Sequence, residues 1–129
     1  MTLTLLMALA ALSSGPDRFD LICTGTLTTT LGDDVTTVPI TQRFRIDLER
    51  MAWCDGDCSL PKSVIALTAS EIVLARDTIE QAAMSSLINR FSGHESGHLE
   101  LTADDKTLRV ESDSQCERAD FSGIPQSLF

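Results

Sequence analysis

The chain has 129 residues, of which 43% are hydrophobic and 22% are charged, and its formal net charge is -9. This composition is typical of one globular domain and excludes a disordered chain. Because an acidic surface repels phosphate backbones and anionic lipids, we expect no nucleic-acid partner.

The N-terminal segment resembles a signal peptide. An uncharged apolar stretch runs from Leu3 to Leu12. Small residues at Ala11 and Ser13, or at Ser13 and Gly15, have the spacing that signal peptidases recognise. The stretch is too short for a transmembrane helix, which needs ~20 residues. We therefore expect a signal peptide over residues 1–15 and one mature domain over residues 16–129, without a transmembrane segment, in the periplasm or secreted. An apolar N-terminal strand or helix is the alternative, since no Lys or Arg precedes the stretch.

Period-two alternation of apolar and polar residues dominates the chain after residue 18 and indicates strands. The clearest strand covers residues 38–48, and an earlier one carries Cys23 on its apolar face. Gly32 and the Ala103-Asp104-Asp105-Lys106 segment indicate turns. Shorter strands are indicated at residues 64–67, 71–74, 86–91, 98–102 and 107–111. We expect an all-β domain of about seven or eight strands, a small antiparallel barrel with a sandwich as the alternative.

Residues 78–86 are ambiguous within this pattern. Thr78 followed by Gln81 imitates a capping box, and Ile79, Ala82 and Ala83 have helical spacing. The sequence therefore admits one short helix near residues 78–86.

Four cysteines, Cys23, Cys54, Cys58 and Cys116, follow the export-like leader, and an even count in this context indicates two disulfides. Cys54 with Cys58 is the natural local bridge, which leaves Cys23 with Cys116 to join the first strand to the C-terminal segment. In the chain-entropy model the short loop contributes about 2 kcal/mol and the long one about 4.7 kcal/mol. The long bridge should therefore matter more for stability.

A metal site is the alternative role for some of these residues. Cys54-x-x-x-Cys58 and His94-x-x-x-His98 form a two-Cys, two-His set that tetrahedral zinc would accept. The two pairs are much further apart than in a zinc finger, and an oxidising compartment removes the thiolates. We therefore expect no metal site and no cofactor.

His94-Glu95-Ser96-Gly97-His98 also matches the zinc-protease pattern, in which a helix places two imidazoles one turn apart and Glu acts as general base. Gly93 and Gly97 flank or interrupt the match, and the residues after it alternate as a strand. Histidines four residues apart on a strand lie ~13 Å from each other, too far to share one zinc ion. We expect an exposed turn with two solvated histidines, and a small zinc-dependent hydrolase that uses His94, Glu95 and His98 is the alternative.

Other chemistry is weakly indicated, and no catalytic residue is predicted. There is no Gly-rich phosphate loop or nucleophile elbow, and paired cysteines cannot act as nucleophiles. Trp53 could border a binding site, although packing against the neighbouring disulfide is the commoner role. Asn89-Arg90, ahead of Gly93, is a candidate binding surface, because an arginine there could contact an anion, although a solvated strand arginine is commoner.

Several short motifs occur between Phe19 and Phe121: Phe19-Asp20-Leu21 with Cys23 and Gly25-Thr26, Arg43-Phe44-Arg45-Ile46-Asp47-Leu48, Trp53-Cys54, Ile88-Asn89-Arg90 leading to Gly93, and the late Cys116. With these motifs the chain resembles a loose group of small exported bacterial proteins of uncharacterised function with two cysteine pairs. The resemblance implies an exported β domain and assigns no activity or functional residue. We expect a non-catalytic envelope protein that binds a protein or a small-molecule ligand, with a purely structural envelope component as a further alternative.

Overall fold

A computed structural model describes residues 15–125, which form one antiparallel sheet and no helix. The strand order is β4-β3-β2-β1-β9-β8-β7-β6-β5, and the sheet curls into a half-barrel. The predicted all-β, barrel-like class is confirmed, and the single sheet rules out the sandwich. The nine strands are β1 Arg18–Leu31, β2 Asp34–Asp47, β3 Ala52–Asp55, β4 Lys62–Ser63, β5 Ala66–Leu67, β6 Glu71–Ile79, β7 Ala82–Asn89, β8 His94–Ala103 and β9 Lys106–Ala119.

The predicted signal peptide lies outside the described residues, except for Gly15, which forms an isolated bridge with Arg18. Within residues 15–125, the structure contains no helix of the length and apolar character needed to cross a membrane.

Strands β1 and β2 each span 14 residues and pair along their whole length, from Arg18 with Asp47 to Leu31 with Asp34. The second half of β1 is rich in threonine, whose β-branched side chain favours an extended backbone. Gly32 occupies the turn with a φ of 60°, a left-handed conformation that glycine adopts without steric cost. The predicted turn at this glycine is therefore confirmed.

The short helix predicted near residues 78–86 is wrong. These residues form the β6–β7 hairpin, in which Ile79 pairs directly with Ala82. Glu80 makes the turn with a left-handed φ of 49°. Because β7 lies between β6 and β8, hydrogen bonds to two neighbouring strands outweigh the helix propensity of the alanines.

The two edge strands of the sheet, β4 and β5, are consecutive in the chain, and Val64 and Ile65 cross from one to the other. The Val64 N–H donates to the carbonyl of Met51 at 2.8 Å, next to β3. The Ile65 N–H donates to the carbonyl of Val73 on β6 at 2.9 Å. Of the strand predicted over residues 64–67, only Ala66–Leu67 forms one, and the crossing at Val64 and Ile65 closes one end of the half-barrel.

Trp53 makes a second link across the half-barrel, between the strands next to the two edges, β3 and β6. The indole Nε1–H, on β3, donates to the carbonyl of Leu74 on β6 at 3.1 Å. A bulge between Val73 and Ala75 takes Leu74 out of the regular β6–β7 register. The indole also contacts the ring of Phe44, with the centroids 6.0 Å apart.

The main core fills the end of the half-barrel where this crossing lies, which we call the closed end. Complete burial of a Val, Leu, Ile or Phe side chain stabilises a fold by about 1.5–3 kcal/mol. The cluster consists of Phe19, Leu21, Cys23, Phe44, Ile46, Leu48, Trp53, Val64, Ile72, Leu74, Ile88 and Cys116.

Two disulfides are present, with the pairing expected from the sequence. Cys23–Cys116 joins directly opposed residues of β1 and β9, at a sequence separation of 93. Cys54–Cys58 closes the loop that follows β3. The first bond therefore links the two ends of the chain at the centre of the sheet.

The segment after β9 folds back over β1 and the β3 loop. The buried carboxylate of Asp20 accepts a hydrogen bond from the Ser122 hydroxyl at 2.5 Å. Ile124 is buried against the Cys54–Cys58 disulfide and forms a second, smaller core with it. These contacts leave the concave face of the sheet uncovered.

The opposite end of the half-barrel, which we call the open end, contains the β1–β2, β6–β7 and β8–β9 turns. Asp104 and Asp105 form the last of these turns, with φ of 51° and 64°, and confirm the predicted hairpin. Inward-facing apolar residues at this end remain exposed because the gap between β2 and β6 is bridged only at the closed end. They are Leu31, Val38, Ile79, Met84 and Leu101.

Candidate functional site

A cavity of about 550 Å³ opens on the concave face, above the core. Its floor is the upper surface of the closed-end core, formed by Phe44, Trp53 and Leu74. Its walls are mainly apolar and include Leu27, Met84, Leu99 and Val110. Charged residues from both sides of the gap also border it: Asp55, Lys62, Arg76 and Asp77.

Strand pairing builds the apolar wall of this cavity. Leu99 on β8 lies directly opposite Met84 on β7 and opposite Val110 on β9. Because directly paired residues point to the same face of a sheet, the three side chains form one row across three strands. Met84 is 47% exposed, so the row faces an open space.

Glu95 is a buried acidic residue in the cavity lining. Alternation along β8 places it on the same face as Leu99, and it is only 1% exposed. Its carboxylate accepts hydrogen bonds from two hydroxyls of the neighbouring strand β9. The Ser112 Oγ–H donates to Oε1 at 2.7 Å, and the Ser114 Oγ–H donates to Oε2 at 3.2 Å.

Gly97 provides the space in which these groups meet. A Cβ atom at this position would overlap the Ser112 hydroxyl and lie 3.4 Å from Glu95 Oε1. Gly97 pairs directly with Ser112 across β8 and β9, so a side chain at position 97 would displace the Ser112 hydroxyl from its present position. Glycine therefore lets the carboxylate of Glu95 lie over the strand, towards the cavity.

The buried position of Glu95 differs from the one expected from the sequence. The exposed turn expected at residues 94–98 is wrong, because β8 begins at His94 and Glu95 points inward. A signal was present: extending the alternation of Leu99 and Leu101 back along the chain places Gly97 and Glu95 on the same face. Gly93 and Gly97 instead suggested a turn, and the match to the zinc-protease pattern drew attention to the histidines.

The two histidines of the pattern contact other carboxylates than that of Glu95. His94 Nε2 lies 3.2 Å from Asp113 Oδ1. His98 borders the cavity, but its imidazole contacts Glu100 at 3.4 Å and Glu111 at 3.7 Å. Because these residues belong to strand β8, they do not form the helix on which the zinc-protease pattern depends.

The alternative zinc site of two cysteines and two histidines is not formed either. Cys54 and Cys58 are joined in a disulfide, so neither offers a thiolate to a metal. Over residues 15–125, no group of three or more His, Cys, Asp or Glu side chains has a geometry that could hold a metal ion.

Trp53 borders the cavity but does not belong to the disulfide cluster. It lies in the main core, whereas the adjacent disulfide packs with Ile124. Lys62 stands over the indole ring, 4.7 Å from its centroid. The indole therefore forms both core and cavity floor, a position that its sequence neighbours alone do not indicate.

Asn89 and Arg90 lie at the closed end, in the turn between β7 and β8. The side-chain oxygen of Asn89 accepts hydrogen bonds from the N–H groups of Phe91 and Ser92, both at 2.9 Å. Arg90 donates to the carbonyl of Thr68 at 2.8 Å and borders a second cavity of about 360 Å³. The two residues thus shape and anchor the turn, apart from the larger cavity.

Comparison with protein-family models and with curated proteins finds no match to this chain.

Proposed function

We propose that this protein is a non-catalytic, exported binding protein that holds a small apolar or amphipathic molecule in the cavity at its open end. The observation that carries the proposal is a cavity of about 550 Å³ lined by inward-facing apolar side chains. Ligand sites commonly have volumes of ~300–1,000 Å³ and combine an apolar lining with a few polar groups.

Exposed apolar side chains support this proposal. Contiguous apolar surface on a soluble domain commonly marks an interaction site, whereas single exposed residues do not. Here Met84, Leu99 and Val110 form a continuous row across three strands, and Leu101 extends it towards the open end. A molecule in the cavity would cover this row and gain the free energy of burial.

The concave shape favours a small molecule over a protein partner. The apolar row lies inside a curled sheet, and the charged residues Asp55, Lys62 and Arg76 border the cavity beside it. A protein surface would have to enter the half-barrel past these charges, whereas an alkyl chain can lie along the row. The two disulfides are consistent with an oxidising compartment and so with export.

A binding assay with a charged substitution in the wall tests the proposal. Met84→Asp places a charge at a position that is 47% exposed, so the variant should fold. We expect wild-type protein to bind a neutral environment-sensitive dye saturably and at one site. Met84→Asp should weaken this binding by at least about tenfold, because the ligand would have to desolvate the carboxylate.

Leu60→Asp is the matched control, since Leu60 is 68% exposed in the loop after the Cys54–Cys58 disulfide and does not border the cavity. This variant should bind the dye as the wild type does. Non-saturable binding by the wild type, or equal loss in both variants, would contradict the proposed cavity. Saturable capture of a protein on the same row would instead support a protein-binding role.

A further inference from the structure

We infer that the cavity selects amphipathic cations, and that Glu95 binds the ammonium group of the ligand. The inference rests on the proposed function, because it names the chemical class of molecule that the same cavity holds. It follows from the environment of one buried carboxylate.

Glu95 lies almost completely out of solvent, at 1% exposure, yet it borders the cavity. A buried carboxylate is costly unless it is paired with a cation or fully hydrogen-bonded. The ion pairs among the described residues do not include Glu95. The positive partner that commonly accompanies such a group is therefore missing from the part of the chain that the structure describes.

The hydrogen bonds to Glu95 leave acceptor capacity free. Ser112 and Ser114 each have one hydroxyl proton, and the Ser112 hydroxyl is shared between Oε1 at 2.7 Å and Oε2 at 3.2 Å. A carboxylate offers about four lone-pair sites, so two hydroxyls do not saturate it. An ammonium group has three N–H donors and no acceptor, which suits the remaining sites.

The geometry also provides a place for the rest of such a ligand. Glu95, Gly97 and Leu99 follow one another on the inward face of β8, and all three border the cavity. Leu99 belongs to the apolar row with Met84 and Val110. An alkyl chain attached to the ammonium group would therefore run along this row towards the open end.

Electrostatics separates a cation from an anion at this position. A charge-assisted hydrogen bond to a carboxylate is about twice as strong as a neutral one, and an anionic head group beside Glu95 would be repelled. The net charge of -9 acts in the same direction, because it raises the local concentration of cations.

Calorimetric titration with three probes of equal chain length tests the inference at pH 7: decylamine and decanoate below their micelle concentrations, and decanol below its solubility limit. We expect the wild-type protein to bind decylamine at least about tenfold more tightly than decanoate, with decanol between them. Glu95→Gln keeps the size of the side chain but removes its charge. It should reduce the preference for the amine to less than about threefold.

Glu100→Gln is the matched control, because it removes the same charge from the same strand at a residue that pairs with Arg109 and does not border the cavity. This variant should keep the wild-type ranking. If Glu95→Gln does not fold, Met84→Lys can replace it, since this substitution places an ammonium group inside the cavity. It should abolish the preference for the amine.

The outcomes separate the two proposals. Equal binding of the three probes by the wild type would overturn the role of Glu95 and leave the apolar cavity intact. An amine preference that persists in Glu95→Gln or in Met84→Lys would also overturn it. Failure of every probe to bind would contradict the proposed function itself.

Discussion

The closed and open ends of the half-barrel are made from the same strands, yet they bury their inward-facing residues very differently. Ile88 and Ile79 both point inward, on β7 and β6, but Ile88 is 2% exposed and Ile79 is 64% exposed. Val64 and Trp53 bridge the gap at the closed end, whereas β2 and β6 stay apart at the open end. Alternation therefore determines which side chains point inward, and closure of the gap determines which of them form the core.

The two ends therefore contribute differently to the stability of the fold. Apolar residues at the closed end gain their burial from each other, so they stabilise the fold. Several of those at the open end, such as Ile79 and Met84, remain exposed, so they contribute less to stability. Glu95 lies at the boundary, with its two serine partners, between the core below and the apolar row above.

The largest expected effect comes from the Cys23–Cys116 disulfide. Replacing both cysteines by alanine should lower the free energy of unfolding by up to about 4.7 kcal/mol in the chain-entropy model, because the bond closes a long loop. The same change at Cys54 and Cys58 should cost about 2 kcal/mol. Urea denaturation of both double variants, each under oxidising conditions, measures the difference. An equal loss in the two would contradict the greater weight assigned to the long bridge.

A matched pair of isoleucine substitutions tests the difference between the two ends. Ile88→Ala, at the closed end, should lower the free energy of unfolding by about 2–5 kcal/mol, since it leaves a cavity in the core. Ile79→Ala, at the open end, should change it by no more than about 0.5 kcal/mol. Thermal or urea denaturation gives both values. A large loss for Ile79→Ala would mean that the open end is packed in solution.

The boundary between the two ends is tested by a double-mutant cycle at Gly97 and Ser112. Gly97→Ala alone should destabilise by about 1–3 kcal/mol, because the new methyl group overlaps the Ser112 hydroxyl. In a Ser112→Ala background the same change should cost about 1 kcal/mol less, since the overlapping atom is gone. Strictly additive effects would show that the carboxylate site does not depend on the room that glycine provides.

Much of the fold could be predicted from the sequence because alternation and turn residues are local signals. The turn at Gly32, the Asp104-Asp105 hairpin and the strand that carries Cys23 all follow from neighbouring residues. The β6–β7 hairpin could not be predicted in this way. Its alanines suit a helix, and only pairing with strands on both sides decides the outcome.

The candidate site was harder to predict than the fold. Its apolar row combines β7, β8 and β9, so the row exists only once the strand register is known. Whether that face is core or cavity depends on the gap between β2 and β6, which no local pattern reports. Glu95 was hidden for a different reason: its histidine neighbours suggested zinc chemistry, although the alternation of β8 separates them from it.

The most direct test of the central claim is a map of amide chemical-shift changes in ¹⁵N-labelled protein during titration with decylamine. The account predicts saturable changes that concentrate on the inward-facing row and around the carboxylate, at Leu27, Met84, Glu95, Leu99 and Val110. The second cavity near Arg90 and the loop that contains Leu60 should change little. Changes centred on that second cavity, or changes spread evenly over the convex face, would contradict a ligand site at the open end.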